Sequence, residues 1–498
     1  VQVIAKKSVK WLAQNLEINS SQVYTKMSHP KSNPFTKAYL YCKQAINGET
    51  LDYTKGDISK SVLFLAIPMI LEMSMESIFA LVDIYFVGHL PNSKYAVQAV
   101  GLTESVLSIV YSLAIGLSIA ATAVVARRIG EKNHEEAAIA AAQSIWLGIF
   151  VSICISLIGY FLASEILRLM GADAETIKVG TAYSQIIFIG CLPIILLFLI
   201  NGVFRGAGNA AIAMKSLWIA NIANIFLCPT LIYGLGPIPP MGLTGAALAT
   251  TIGRSIGVVY QIYYLCGKSN MIKLKWKHLN INYTIIKAIS HIASPGSLQF
   301  IVASCSWIFL AKLVAETGQE TASAGFQIAL RVVIFFILPA WGMSNAAATL
   351  VGQNLGANQP ERAEKCVIIA AKYNAYFMGF VSLLFLLGAS PIMGIFTNDP
   401  QVKKIGADAL QIIAMGYIFY GIGMVLANAF NGAGDTWTPT IINFCCFWLF
   451  QIPLSYVLAI YYQMGPTGVF IAIPVAESAI AITAFILFKK GKWKLKLV

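Results

Sequence analysis

The sequence predicts an all-α integral membrane protein in which twelve transmembrane helices form two six-helix lobes, repeated in parallel. Three observations carry that expectation. The composition is strongly apolar, apolar runs alternate with loops that are basic in every second position, and landmarks of the first half recur in the second.

Composition comes first, because it sets the class. A soluble domain is roughly half apolar and about a quarter charged. This chain is 57% hydrophobic and 11% charged, with a mean hydropathy of +0.71. At roughly 20 apolar residues per span, its 498 residues accommodate about a dozen helices once loops are subtracted. The formal charge of +13 does not point to nucleic acid, because the Lys and Arg residues cluster in alternate loops and so read as topology signals. Nine cysteines include Cys154, Cys191, Cys305, Cys445 and Cys446 inside apolar runs, without the spacing of a disulfide framework or a metal site. Residues 1–55 lack a continuous apolar stretch and carry eight Lys against Glu17, Glu49 and Asp52, so they read as a basic cytoplasmic arm rather than a signal peptide.

The apolar runs place spans near 62–88, 97–126, 137–162, 177–202, 211–235 and 243–266, then near 286–313, 323–351, 364–388, 404–430, 438–462 and 467–488. With the N-terminus inside, the cytoplasmic loops hold Arg127, Arg128 and Lys132, then Arg205 and Lys215, then Lys268, Lys273, Lys275, Lys277 and Lys287, then Arg362 and Lys365. The tail adds Lys489, Lys490, Lys492, Lys494 and Lys496, so both termini are expected in the cytoplasm. The expected domains are the arm 1–55, a first lobe 56–266, a basic inter-lobe loop 267–285 acting as the hinge, and a second lobe with its tail, 286–498.

The repeat is read from separated landmarks. FRGAGN from Phe204 recurs as FNGAGD from Phe430, an offset of 430 − 204 = 226. RIGEKNHEEA around Gly130 matches NLGANQPERA around Gly356, Gly180 matches Gly406, and Pro68 matches Pro295 at an offset of 227. Six spans per half bring each half back to the side on which it began, so the halves are related by an axis along the membrane normal and surround a central cavity.

Few residues carry chemistry. Gly267, Lys268 and Ser269 resemble the end of a phosphate-binding loop, but Ile262 stands where its first glycine belongs, so direct ATP use is not expected. No metal-binding His pair or nucleophile elbow is present, and neither an enzyme nor a bound cofactor is expected. Ionisable residues within a bilayer mark ion or substrate pathways. The first span has three, Glu72, Glu76 and Asp83, whose spacings of four and seven residues put them within roughly 40° on one helical face. Glu72 and Glu76 read as solvated groups near the helix end, as hydrogen-bonded packing groups, or as pathway carboxylates. Asp83 lies some 16 Å beyond Glu72 (11 residues at about 1.5 Å) and reads as the functional acid. A shift of 227 places Gln299, Ala303 and Leu310 opposite these acids, which concentrates coupling chemistry in the first half. Tyr183, Asn201, Asn224, Thr250 and Arg254 are further polar residues within first-half spans, with Glu104, Asn221, Arg331, Asn428, Asn443 and Glu477 elsewhere.

The stretches LAIPMILEMSMESIFALVDIYFVGHL, GLSIAATAVVARRIGEK and FRGAGN, with their repeats, resemble the multidrug and toxic compound extrusion (MATE) exporters over residues 56–488, in their prokaryotic DinF-like and NorM-like branches. The resemblance implies two six-helix lobes forming a V and export of cationic or amphipathic compounds in exchange for H+ or Na+. It implies a multi-pass protein of the bacterial cytoplasmic membrane, a monomer with the lipid bilayer and small cargo molecules as its partners. By resemblance the first-span Asp is Asp83, and the first-lobe polar cluster is Tyr183, Asn201, Asn224 and Thr250. The fifth span departs from the pattern, because Asn224 is followed by Cys228 and Pro229 where the branch has Asp before Pro. Glu76 or Glu72 is expected to supply the missing carboxylate, with a transient Na+ possible near Asp83. Two other functions fit the architecture: a lipid-linked precursor flippase, which would favour several basic residues facing the cavity, and a membrane sensor or scaffold without transport.

Overall fold

A computed structural model describes residues 34–49, 51–88, 93–235, 237, 239–267 and 271–496. Every regular element among them is helical. The described residues divide between Asn47 and Gly48 into two units, and in the first of these α1 spans Pro34–Asn47. Lys268 and Ser269, of the loop compared above with a phosphate-binding motif, lie outside the described residues.

In the second unit the first half comprises α2 (Ile58–Gly88), α3 (Ser93–Gly130), α4 (His134–Leu169), α5 (Ala174–Ile189), α6 (Cys191–Gly206), α7 (Ala210–Tyr233) and α8 (Gly242–Cys266). The second half comprises α9 (Tyr283–Gly356), α10 (Pro360–Phe396), α11 (Pro400–Ala414), α12 (Tyr417–Gly432), α13 (Trp437–Tyr461) and α14 (Pro466–Lys489). Several helix starts follow from short polar side chains that accept from exposed backbone N–H groups. Asn133 accepts from the Glu136 amide, Asp173 from Thr176, Asn282 from Thr284 and Ile285, and Asp399 from Gln401 and Val402.

Among the described residues nine helical segments are long and apolar enough to cross a membrane, with α5 and α6 counted as one, and the pair α11 and α12, bent by 56°, makes a tenth. The 74-residue α9 contains two of the expected spans, separated where Gln319 (φ 59, ψ −162) leaves the helical region. Together with α8, whose apolar run is diluted by Arg254 and Gln261, these are the twelve spans expected from the sequence. The fourth span differs from the single run expected over 177–202, because it divides at Gly190, where a side chain would collide with Thr251. The eleventh contains two π-helical stretches, Phe444–Gln451 and Val457–Tyr461.

Residue contacts reproduce the repeat. Gly206 packs against the Thr122 carbonyl and Gly432 against the Ala348 carbonyl, where 432 − 206 = 348 − 122 = 226. Between the halves, a side chain at Gly130 would meet the Gln353 carbonyl, and one at Gly356 would meet the Arg127 carbonyl, where 356 − 130 = 353 − 127 = 226. These two contacts exchange under a pseudo-two-fold rotation. Glycine is required because the backbones of α3 and α9 approach too closely for a Cβ. Apolar cores divide similarly, one built from residues between Ala96 and Ala293 and another from residues between Leu310 and Ile473.

The halves meet most closely at the end that carries the basic loops. Most residues of α3 from Leu117 to Gly130 are buried, whereas Glu104, Ser105 and Ile109 nearer its other end are exposed. In α9 the stretch from Met343 to Gly356 is likewise buried, whereas Arg331, Ile334 and Phe335 are exposed. Tyr53 adds to the closed end, its hydroxyl donating to the Gly208 carbonyl (3.1 Å) while Arg362 of α10 donates to its carbonyl (3.4 Å). The tail does the same, with Arg127 bonded to the Lys496 carbonyl and the Lys496 ammonium 3.2 Å from Asp435. The described part of the inter-half loop is docked on α4. Gln143 donates to the carbonyls of His278 (3.2 Å) and Asn280 (2.9 Å) and accepts from the Asn282 amide (3.0 Å).

Candidate functional site

The site is a polar network inside the first half, assembled from α2, α3, α6, α7 and α8. Asn201 and Arg205 lie one turn apart on α6 and so share a face. Both reach Glu72 on α2. Asn201 Nδ2 donates to Glu72 Oε1 at 3.0 Å, and Arg205 Nη1 donates to the same oxygen at 3.1 Å. The Glu72 side chain is 1% exposed and that of Arg205 9% exposed, so this is a desolvated ion pair. Glu72 is therefore not a solvated helix-end group; its contacts fit the hydrogen-bonded packing group that the sequence also allowed. Its Oε2 is buried with no hydrogen-bond partner among the described residues.

The network continues outward from Asn201. Its Oδ1 accepts from Gln261 Nε2 of α8 (2.6 Å) and from Ser216 Oγ of α7 (3.0 Å). Arg205 Nη2 donates to Ser118 Oγ of α3 (2.8 Å), which donates to the Phe198 carbonyl (2.7 Å). One turn after Glu72, Glu76 receives a two-pronged interaction from Arg254 of α8, with Nη2 at 2.7 Å from Oε1 and Nη1 at 3.3 Å from Oε2. Asn224 Nδ2 donates to Thr250 Oγ1 at 3.1 Å, joining α7 to α8 close to Gly253, where the two helices touch. Tyr183 is buried in the same apolar core, on α5. Asp83 belongs to α2, but its side chain lies outside the described residues.

The structure thus joins the expected residues in pairs: Glu72 with Asn201, Glu76 with Arg254, and Asn224 with Thr250. Cys228, at the position where the family pattern has Asp, is buried in α7. Arg205 is a correction to the sequence reading, which counted it among loop charges; it lies inside α6, because the helix continues past the apolar run to Gly206 and turns the guanidinium inward. Lys215 likewise lies within α7 rather than in a loop. Ser118, Ser216 and Gln261 were not singled out by sequence. One signal for Arg205 was present: the repeated motifs FRGAGN and FNGAGD differ at Arg205 and Asn431, just as Glu72 and Gln299 differ.

Arg205 and Ser118 also line a cavity shared by the two halves, with Met73, Phe198 and Thr122 on one side and Trp341, Asn345, Asn428 and Asn431 on the other. Arg205 and its repeat counterpart Asn431 face the same space. No group of three or more His, Cys, Asp or Glu suited to a metal is present among the described residues. The arrangement places a carboxylate paired to a guanidinium that itself borders a cavity lined by apolar, amide and aromatic groups.

Comparison with known proteins gives this geometry a context. The MatE family profile matches twice, over residues 68–230 and 295–457, segments offset by 295 − 68 = 227. The chain is 28% identical over 443 residues to the probable multidrug resistance protein NorM of Thermotoga maritima, covering 89% of this chain and 94% of that protein. It is 24% identical to an FAD transporter of Shewanella oneidensis, covering 87% and 95% respectively. Among solved structures, an outward-facing conformation of a multidrug resistance MATE transporter superposes with a TM-score of 0.83 at 26% identity, covering 89% of this chain and 98% of that one.

Proposed function

The chain belongs to the MatE family, whose members are membrane transporters rather than enzymes, and from that premise we propose that it exports amphipathic or cationic small molecules in exchange for inward-moving H+ or Na+. The membrane is the bacterial cytoplasmic membrane, with both termini and the basic loops on the cytoplasmic side. In this orientation the close contacts between α3 and α9 shut the cytoplasmic end, and the conformation faces outward.

The observation that carries the reading is the divided state of Glu72. One oxygen is held by Asn201 and Arg205 and the other has no partner among the described residues, while Arg205 borders the inter-half cavity. A proton on Glu72 weakens its bond to Arg205 and leaves the guanidinium to seek acceptors in the cavity; loss of the proton restores the pair. Each state therefore favours a different position of the Arg205 side chain between α2 and the cavity, the differential interaction that coupling requires. Arg205 and Arg254 already neutralise Glu72 and Glu76, which favours H+ over Na+ at these two acids. Asp83 is the further coupling acid, its charge biasing the cycle in the same manner. One H+ moving through about 100 mV and one pH unit releases roughly 2.3 plus about 1.4 kcal/mol, sufficient for a gradient of several hundredfold in a neutral cargo.

Ethidium efflux from vesicles energised separately by a pH gradient and by a Na+ gradient tests the reading. Activity is expected with one of the gradients and is expected to vanish in Asp83→Asn at matched expression, while Leu310→Asn at the repeat position keeps its coupling. Uphill export by Asp83→Asn at the wild-type rate removes Asp83 from the mechanism. Silence under both gradients across a broad cargo panel overturns export.

A further inference from the structure

We propose that the second half binds an anionic phospholipid in the groove between α10, α12 and α14, an acyl chain lying in the groove and the phosphate meeting the Lys372 ammonium. The site is independent of the export reading and shares no residue with the network around Glu72.

The groove is open and has a volume of about 420 Å³, and its lining is apolar except for Lys372. Ala371 of α10 leaves room on one side, while Phe419 of α12 and Ile482 and Phe485 of α14 line the groove and are 44%, 54% and 48% exposed. Exposed apolar side chains on a membrane-spanning helix face lipid, and a concave stretch of them fits a flexible hydrocarbon chain.

The position of Lys372 selects the headgroup. Near the basic end Glu364 of α10 is already neutralised by two cations, Lys489 at 3.0 Å and Lys494 at 2.6 Å, which marks the level of the membrane interface. Lys372 is eight residues further along α10, about 12 Å deeper, and makes no ion pair among the described residues; its Nζ lies over the Tyr376 ring, 5.7 Å from the centroid. With a lipid bound, the flexible aliphatic stem of Lys372 lets its ammonium swing from the Tyr376 ring toward the interface. There it meets the phosphate of a lipid whose tail occupies the groove.

The repeat supplies an internal contrast. The position equivalent to Lys372 is 372 − 226 = 146, where Trp146 donates from Nε1 to the Leu279 carbonyl at 3.0 Å. The first half therefore has an uncharged ring tied to the inter-half loop where the second half has a cation beside a groove. A cationic amphiphile of the kind proposed as cargo would be repelled by Lys372.

Native mass spectrometry of the delipidated full-length protein, titrated with phosphatidylglycerol or phosphatidylcholine of identical acyl chains, reads the preference directly. One basic residue near the lipid headgroups contributes about 1 kcal/mol, so phosphatidylglycerol should bind about fivefold more tightly. Lys372→Gln should reduce phosphatidylglycerol to the phosphatidylcholine level, Lys372→Arg should retain the preference, and Ala371→Leu should weaken both lipids by narrowing the groove. Inorganic phosphate at millimolar concentration should not compete. An undiminished preference in Lys372→Gln overturns the proposal, as does displacement of the lipid by phosphate alone or occupation of the groove by a second copy, seen as a dimer that excludes lipid.

Discussion

Glu72 Oε1 and Arg205 Nη1 are 3.1 Å apart although 133 residues separate them in the chain, and at the equivalent places of the second half stand Gln299 and Asn431, both neutral. The charge and its counter-charge are thus present together in one half and absent together in the other. The Glu76–Arg254 pair follows the same pattern, with Ala303 and Ile480 at its equivalent positions. A lone buried charge is far more costly than either a pair or none.

Removing one member of the first pair should therefore be worse than removing both. Glu72→Gln or Arg205→Asn alone is expected to destabilise by about 3–5 kcal/mol, seen as a lowered unfolding midpoint in detergent. The double variant, which copies Gln299 and Asn431, should recover a large part of that loss while remaining uncoupled in vesicle efflux. Single and double variants that unfold alike would refute the desolvated pair.

Arg254 holds Glu76 through both terminal nitrogens, a geometry that a lysine ammonium cannot reproduce. Arg254→Lys is expected to cost about 1.5–3 kcal/mol, the range of a hydrogen bond to a charged group. The same change combined with Glu76→Ala should add little further. Thermal unfolding of the two single variants and the double variant, analysed as a cycle, checks the interaction between them.

The glycine contacts between α3 and α9 hold the basic end shut. Gly130→Val places a branched side chain against the Gln353 carbonyl and should shift the population toward separation at that end. Spin labels at His134→Cys and Glu361→Cys, on opposite halves, should report a longer mean distance than in the protein with Gly130 intact. An unchanged distance distribution with preserved folding would show that this contact does not control closure.

Tyr53 spans both halves through its hydroxyl and its carbonyl, and is 3% exposed. Tyr53→Phe removes the bond to Gly208 and should cost about 1 kcal/mol, whereas Tyr53→Ala also leaves a cavity and should cost about 3–5 kcal/mol. Alkylation of Thr122→Cys, which borders the inter-half cavity, should be faster from the basic side when combined with Tyr53→Ala than with Tyr53→Phe.

Class, span number and repeat were legible in the amino-acid order because each depends on local quantities. Hydrocarbon excludes unpaired backbone, so apolar runs of sufficient length become helices whatever surrounds them. The equivalence of Gly130 with Gly356 was visible as an offset, and the contacts of those residues follow it. The placing of Glu72, Glu76 and Asp83 in one helix, with Asn201, Asn224, Thr250 and Arg254 in others, was read from periodicity alone. Pairing was not readable in that way. Arg205 stands at the end of an apolar run and matches a loop charge by composition; it became a buried partner of Glu72 because α6 continues one more turn and its long side chain reaches across to α2. Gln261 and Ser216 joined the site because α7 and α8 lie side by side, and the close approach of Thr251 to Gly190, where the fourth span divides, is likewise a contact between distant residues. Helices form from interactions a few residues apart, but a buried charge chooses its partner only when distant helices meet, and that choice belongs to the tertiary structure.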